Sequence, residues 1–294
     1  MNWVVFQIAS GRAFFAAIVL LLIAVLVCPR GSPRLRRTGT WCLVLGLVAL
    51  AVSATALPYW AYGLVAFSVA VSVLAKPPCR HASILAGAGI AALVAVALDE
   101  ARFHVMPTLR PSPARRIAII GDSITAGYGS ADTTQKWPAI LHDRHGVEVR
   151  DLSRIGETVA SAAKRLSEQS VDAPVVVVEI GGNDFLGGTS VAEFEAGLEL
   201  VLERVRAPDR QIVMFELPVP PLYEGFGRVQ RKLAARHGVF LIPKRILLSV
   251  VEAAEATVDS LHLTQQGHER MAGSVWAILE PAMPDASEHA DRAR

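Results

Sequence analysis

The sequence predicts two different parts: an all-α transmembrane region of about four helices, followed by an α/β domain built on a parallel sheet. Three observations carry this prediction. Of the 294 residues, 52% are hydrophobic, a high share for a soluble chain. No Asp or Glu precedes Asp99, whereas charged residues are frequent from residue 111 onward. In that later part, apolar segments of strand length alternate with segments of helical periodicity.

The predicted membrane helices are apolar stretches of roughly 16 to 18 residues, near the lower limit for crossing a bilayer. They run over Ala13–Cys28, Thr40–Leu57, Tyr59–Ala75 and Ala82–Leu98. The first and third connections carry the basic residues Arg30, Arg34, Arg36, Arg37, Lys76 and Arg80. By the positive-inside rule these connections are cytoplasmic, so an even number of helices places the later domain outside the inner membrane. Three or five spans stay open as alternatives, because Arg12 is difficult to place.

A cleaved signal peptide followed by a hydrophobic core is a weaker interpretation of the same stretches. The only charge near the start is Arg12, and no small-residue cleavage site follows Val27. The three further apolar stretches would also need another explanation. We therefore expect a multi-pass membrane protein.

Composition argues against several classes of function. The three cysteines, Cys28, Cys42 and Cys79, lie in the membrane region, so the later domain has no disulfide framework. After residue 110 about 20 basic residues accompany about 25 acidic ones, so no nucleic-acid partner is expected. Neither metal-ligand spacing nor a phosphate-binding loop occurs, and we expect no metal and no cofactor. The sequence leaves the oligomeric state open.

We expect residues 1–100 to be the transmembrane region, 101–113 an extended proline-containing linker, 114–283 the globular domain and 284–294 a disordered tail. The predicted strands are Arg116–Ile120, Val147–Leu152, Val175–Ile180, Gln211–Glu216 and Val239–Ile242. The predicted helices are Trp137–Arg144, Thr158–Ser170, Val191–Arg206, Leu222–His237 and Thr264–Leu279. This alternation implies right-handed crossovers and one three-layer α/β/α domain.

A serine follows the first predicted strand, in Gly121-Asp122-Ser123-Ile124. The carboxyl edge of an open parallel sheet is where such domains carry out chemistry. A serine hydroxyl is a poor nucleophile unless a base and oxyanion donors lie beside it. The motif alone fits a tight turn equally well. Three later segments supply the missing groups, so Ser123 is the candidate nucleophile, and we interpret Asp122 as a brace of its turn.

The segment Asp259-Ser260-Leu261-His262 offers a base and its orienting group. An aspartate three residues before a histidine on one loop can accept a hydrogen bond from Nδ1, which leaves Nε2 free to take a serine proton. Of the eight histidines, His268 is the one rival for this role. We disfavour His268 because the helix after Thr264 would carry it away.

Gly156 and Asn183 are the candidate oxyanion donors. Gly156 has no side chain, so its amide can approach a substrate closely, although a simple turn glycine is the competing interpretation. Asn183 follows a predicted strand in Gly181-Gly182-Asn183-Asp184, where its side-chain amide would project over the same edge as Ser123. The preceding glycines already meet the backbone needs of a turn, which favours a chemical role for the asparagine.

Taken together, these segments resemble the SGNH (GDSL-type) hydrolase family. Gly121–Gly129 resembles its first block, Gly156 its second, Gly181–Asp184 its third and Asp259–His262 its fifth. The resemblance covers roughly Arg116–Pro281 and is nearest to the lysophospholipase, thioesterase and arylesterase branch. Two features depart from that branch: Leu263 replaces a proline often found after the histidine, and the membrane helices are foreign to its soluble members.

The resemblance implies a flavodoxin-like sheet, a triad of Ser123, His262 and Asp259, and an oxyanion hole. The Ser123 and Gly156 amides and the Asn183 side chain would form that hole. It also implies a serine esterase that hydrolyses lysophospholipid, acyl or aryl esters through an acyl-enzyme, and the predicted helices would anchor this enzyme in the membrane. Its partner would be a small-molecule or lipid ester. An O-acetylesterase acting on envelope carbohydrate and a non-catalytic ligand-binding or sensing membrane protein stay open as alternatives.

Overall fold

The computed structural model describes residues 3–28, 32–74, 81–129, 132–259 and 261–284. The chain divides into two compact units. The first consists of Met1–Val105 and Val219–Glu224, and the second of Met106–Pro218 and Gly225–Arg294. Several predicted features lie outside the described residues, namely Arg30, Lys76, Cys79, Arg80, Ser260 and the tail after Pro284.

The regular secondary structure described in the first unit is helical. Its helices are α1 (Trp3–Ala9), α2 (Ala13–Val27), α3 (Pro33–Val52), α4 (Tyr59–Leu74) and α5 (Ala82–Ala101), followed by a 3₁₀ turn at Arg102–His104. The Ser32 hydroxyl caps α3 by accepting a hydrogen bond from the Leu35 amide, and Pro33 occupies the first helical position. Phe14, Leu21, Leu57 and Leu93 belong to a buried apolar cluster that these helices enclose.

Helices occur at all four positions where the sequence predicts membrane spans, but they differ in length. By length and apolar composition, two described segments could cross a membrane, Pro33–Val52 and Ala82–His104. Helices α1 and α2 meet at a bend of 83° and could together form a third span. Helix α4 has 16 residues, fewer than a span usually needs. Arg12 lies in the break between α1 and α2 rather than inside a helix.

The second unit contains a five-stranded parallel sheet. Its strands are β1 (Arg116–Gly121), β2 (Glu148–Asp151), β3 (Val175–Glu179), β4 (Gln211–Phe215) and β5 (Phe240–Ile242). They pair in the order β2-β1-β3-β4-β5, which is the flavodoxin-like arrangement. The predicted α/β class and its five strands are therefore confirmed. The strand order reverses between β1 and β3, whose carboxyl ends flank the crevice where ligands bind in such sheets.

Helices cover the two faces of this sheet. They are α6 (Ser123–Ala126), α7 (Trp137–His145), α8 (Val159–Leu166), α9 (Gly182–Leu186), α10 (Val191–Val205), α11 (Glu224–His237), α12 (Lys244–Val251) and α13 (Gln265–Leu279). Helices α7, α12 and α13 share one buried cluster with Ile117, Val175 and Val213 of the sheet. Helix α8 packs against α10, and Phe226 of α11 contacts Phe194 of α10. Successive strand residues point to opposite faces, so continuous apolar runs are buried on both.

Part of the segment expected to be a linker is attached to the second unit. Leu109 joins the buried cluster of the sheet. The backbone amide and carbonyl of Arg110 exchange hydrogen bonds of 2.7 and 2.8 Å with the side-chain amide of Gln211. The Ser112 amide donates to the Ala282 carbonyl at 2.6 Å. These contacts hold residues 109–112 against the domain by satisfying otherwise buried polar groups.

Candidate active site

The first predicted block forms a tight turn at the end of β1. The Asp122 carboxylate accepts a hydrogen bond of 2.9 Å from the Ile124 amide and so caps the one-turn helix α6, as the sequence predicts for a brace. The Asp122 amide donates to the Glu179 carbonyl of β3 at 3.1 Å. Ser123 is the first residue of α6, where backbone N–H groups have no acceptor within the helix. Its side chain is almost completely buried.

The last predicted block forms a compact loop just before α13. His262 Nδ1 lies 2.7 Å from Asp259 Oδ2, and Asp259 Oδ1 accepts from the His262 and Leu261 amides at 2.8 and 3.1 Å. The His262 carbonyl accepts from the Val258 amide at 2.8 Å, which closes the loop. Hydrogen bonds from the amide and ring of His262, joined by the Leu261 amide, lower the pKa of Asp259 to about 2. The carboxylate is therefore charged when it faces the ring.

His262 lies at the same edge of the sheet as the serine turn. Its ring centroid is 6.2 Å from that of Tyr128, five residues after Ser123. Burial raises the pKa of Asp122 to about 6, although the Ile124 amide and the positive charge of His262 act in the opposite direction. The Ser123 hydroxyl and the His262 ring, both described, are not hydrogen-bonded to each other; such contacts often tighten only when substrate binds.

The second and third blocks meet at this edge. Asn183 Nδ2 donates to the Glu157 carbonyl at 3.1 Å, directly after Gly156. Gly156 has φ +71, a conformation that favours glycine, and it is exposed. A side chain at Gly182 would come within 3.2 Å of Asp122 Oδ2, so the loop after β3 lies close against the serine turn. The structure thus brings together the four segments that the sequence singles out.

An ion pair that the sequence did not reveal stabilises the Gly156 loop. Glu157 Oε2 accepts from Arg165 Nη2 at 2.5 Å and from Arg165 Nε at 3.1 Å, and both side chains are buried. Arg165 Nη2 also donates to the Leu152 carbonyl at the end of β2. The pair ties the loop both to α8 and to the sheet. The sequence shows only an acidic residue in a loop followed by a basic residue in the next helix. This arrangement is common among exposed residues, so it does not indicate a buried ion pair.

The rival histidine occupies a different environment. His268 is completely buried on α13, where its Nδ1 accepts a 3.4 Å hydrogen bond from the Trp137 amide. Burial, with the nearby charge of Lys136, lowers the pKa of His268 to about 4, so this ring is neutral near pH 7. Trp137 is also fully buried, in the apolar cluster that α7 shares with the sheet. Among the described residues, no group of three or more His, Cys, Asp or Glu is arranged to hold a metal ion.

Comparisons with known proteins agree with this fold. Residues 119–270 match the profile of the GDSL-like Lipase/Acylhydrolase family. Esterase TesA of Pseudomonas aeruginosa is 29% identical over 184 residues, which cover 58% of this chain and 90% of that protein. Thioesterase 1/protease 1/lysophospholipase L1 of Escherichia coli is 31% identical over 150 residues, covering 48% and 72%. The solved structure of TesA superimposes with a TM-score of 0.50 at 30% identity, over 57% of this chain and 99% of that one.

The fold and the family match define the second unit as an SGNH-type hydrolase domain with the α/β/α architecture. The chain belongs to the GDSL-like lipase/acylhydrolase family, and it is a serine ester hydrolase of that family.

Proposed function

We propose that Ser123, His262 and Asp259 form the catalytic triad of this hydrolase and that the reaction passes through an acyl-enzyme. The observation that supports this most strongly is the 2.7 Å contact of Asp259 Oδ2 with His262 Nδ1, on a loop that lies beside the serine turn. Asp259 holds the tautomer in which Nε2 is unprotonated. His262 takes the Ser123 proton as the hydroxyl attacks the ester carbonyl, and returns it to the departing alcohol. Water then cleaves the acyl-enzyme by the same steps.

The amides of Ser123 and Gly156 and the side chain of Asn183 stabilise the negative oxygen of the tetrahedral intermediate. The Asn183 amide carries two N–H groups. One donates to the Glu157 carbonyl and fixes the side chain, which leaves the other free for the substrate oxygen. A donor held in place before the reaction needs no reorganisation when the charge develops.

The substrate is an ester with an apolar acyl or aryl group, in the class of lysophospholipids, acyl esters and aryl esters. Four large apolar side chains beyond the carboxyl ends of the strands are more than two-fifths exposed: Tyr128, Ile155 and Val258 on loops, and Leu186 at the end of α9. Apolar side chains grouped at a site mark a surface for apolar ligands. O-acetylated envelope carbohydrate is the second candidate, since a hydrolase beside a membrane would also meet it.

Chain-length profiling separates these substrates. With nitrophenyl esters from acetate to dodecanoate, we expect kcat/KM to rise beyond butyrate. A maximum at acetate, combined with release of acetate from O-acetylated polysaccharide, would instead assign the carbohydrate reaction.

The mechanism is tested by replacing the nucleophile in the full-length protein in detergent. Ser123→Ala should abolish ester hydrolysis and labelling by a fluorophosphonate probe, because the probe reacts only with an activated serine. Ser249→Ala is the matched control, since Ser249 is exposed on α12 and its hydroxyl donates to the Ile246 carbonyl. A wild-type protein that neither hydrolyses esters nor reacts with the probe would favour the non-catalytic ligand-binding alternative.

We further propose that the helices of the first unit anchor the enzyme in the inner membrane as a multi-pass protein with its hydrolase domain on the extracytoplasmic side. The exposed apolar surfaces of α3 and α5 support insertion, and the basic first connection supports the orientation. Reporter fusions placed after Asp99 should be active only for an extracytoplasmic reporter. Activity of a cytoplasmic reporter there would indicate an odd number of spans.

A further inference from the structure

A buried carboxyl group lies behind the serine turn and has no role in the mechanism above. Glu179 is the last residue of β3, after four consecutive valines, and it is 1% exposed. Its Oε2 lies 2.8 Å from the hydroxyl of Thr125 in α6, the short helix that begins with Ser123. A buried hydrogen bond of this kind fixes the relative position of the two elements that it joins, here β3 and α6.

The hydrogen bonds around Thr125 have a definite direction. Trp137 Nε1 lies 3.2 Å from Thr125 Oγ1, and an indole N–H can only donate. The threonine hydroxyl accepts from the indole and has one proton of its own, which points toward Glu179. The resulting chain runs from α7 through α6 to β3, and all three residues are buried.

Glu179 contacts the serine turn at both ends. Its backbone carbonyl accepts from the Asp122 amide, one residue before Ser123, and its side chain accepts from Thr125, two residues after it. The Thr125 side chain also packs directly on Gly121, where a Cβ atom would lie 2.5 Å from Thr125 Oγ1. The position of the turn relative to β3 is thereby fixed from two sides.

The same strand leads to the proposed oxyanion donor, because Asn183 follows Glu179 by four residues. A contact that fixes the serine turn to the end of β3 therefore also fixes the distance between the nucleophile and Asn183. Burial and the neighbouring Asp122 charge raise the pKa of Glu179 well above its usual range, which favours its neutral form. A neutral amide could replace it at this position.

We propose that Glu179, through Thr125, is a positioning residue that sets the serine turn against the oxyanion donor of the strand beside it. This inference rests on the proposed triad and oxyanion hole. Neither side chain needs to touch the substrate. Its contribution to the rate is the alignment of Ser123 with Asn183, and a displacement of about 1 Å can cost on the order of 100-fold in rate.

The test compares conservative and disruptive variants of the same two residues in the full-length protein. Glu179→Gln keeps an acceptor oxygen, and Thr125→Ser keeps the hydroxyl, so both should retain kcat within about threefold. Glu179→Leu and Thr125→Val remove the hydrogen bond at similar volume, and kcat should fall roughly 10- to 100-fold with KM within about twofold. Rates are divided by the concentration of sites titrated with a fluorophosphonate, so that unfolded molecules do not contribute.

Two controls make each outcome decisive. Trp137→Phe removes the indole donor but leaves the Thr125 contact with Glu179, and should lower kcat by less than about threefold. Equal kcat values for Glu179→Gln and Glu179→Leu, or a wild-type kcat for Thr125→Val, would overturn the positioning role. Ser123→Ala distinguishes failure of this inference from failure of the proposed mechanism. If Ser123→Ala stays active, the proposed triad itself is wrong. If Ser123→Ala is inactive but Thr125→Val is fully active, only the inference about Glu179 is refuted.

Discussion

The two units differ in where they place their large apolar side chains. In the first unit every described helix exposes at least one, among them Trp3, Val19, Trp41, Phe67 and Ile84. Only 11% of the residues in the most apolar 18-residue stretch of α3 are buried, although the mean hydropathy of that stretch is 1.4. The second unit buries its apolar strands on both faces, and most of its exposed apolar residues lie at the carboxyl edge of the sheet. The first unit suits an apolar solvent and the second suits water.

Under the proposals above, location and chemistry belong to different units of the chain. All five residues proposed for catalysis belong to the second unit. The described acids of the first unit include Asp99 and Glu100 at the end of α5, which contact Arg102 and His104 on the same stretch. The two proposals thus assign catalysis to the second unit and anchoring to the first, and each can be tested.

The largest effect is expected at Asp259. Asp259→Asn presents an amide to His262 Nδ1 and favours the wrong ring tautomer, so kcat should fall on the order of 10⁴-fold. Asp172→Asn is the matched control, because this exposed carboxylate pairs with Arg116 at the opposite end of β1. The measurement is kcat on a nitrophenyl ester at neutral pH. A loss below tenfold would show that His262 does not depend on this orienting group.

The depressed pKa of Asp259 adds a pH dependence. Its folded value of about 2 lies below the unfolded value of 3.8, so its stabilising contribution is present above the unfolded value and lost as pH falls toward 2. The carboxylate thus stays charged at every pH where the enzyme is expected to work. The acidic limb of the rate profile should therefore contain no step from this aspartate.

A smaller effect is expected at Asn183. Asn183→Ala removes one oxyanion donor, and kcat should fall roughly 100- to 1000-fold with little change in KM. Asn183→Asp tests the charge separately, since a carboxylate would repel the developing oxyanion and should be at least as damaging. Retention of full activity in Asn183→Ala would remove this residue from the oxyanion hole.

Asp122 should affect stability more than rate. Its folded pKa of about 6 lies above its unfolded value of 3.8, so ionisation lowers the stability of the fold as pH rises between these values. Asp122→Asn keeps an oxygen for the Ile124 amide and removes that charge, so it should stabilise the protein on the order of 2 kcal/mol at pH 8 and little at pH 4. Denaturant unfolding at both pH values measures this. An equal effect at both would show that Asp122 ionises normally.

Much of the second unit could be predicted from its sequence because local patterns and tertiary packing agree there. The run of valines in β3 and the apolar run in β1 can be satisfied only by burial on both faces of a parallel sheet. Asp259 and His262 are close in sequence, so their contact follows from spacing alone. Three of the four segments that hold the proposed site directly follow predicted strands, at the carboxyl edge where such sheets carry out chemistry.

Other features depend on contacts between distant residues and left no local signal. The pair Glu157–Arg165, the contact of Thr125 with Glu179 and the attachment of Arg110 to Gln211 each join different elements. Helix α12 was also missed, because its eight residues give too short a periodic pattern to separate from a strand. The number of membrane spans stays a prediction for a related reason: apolar composition predicts that a helix forms but not how long it is.

The smallest effect on kcat is expected when residues 1–105, the N-terminal part of the first unit, are removed. Leu109, Arg110 and Ser112 belong to the core and hydrogen bonds of the second unit, so a chain of residues 106–294 keeps these contacts. Its activity on a soluble butyrate ester should stay within about twofold of the full-length protein, whereas association with membranes should be lost. Membrane association is measured by fractionation, and activity as kcat per active site titrated with the fluorophosphonate. If the shortened chain folds but loses more than tenfold in kcat, the first unit contributes to catalysis and the separation of roles fails.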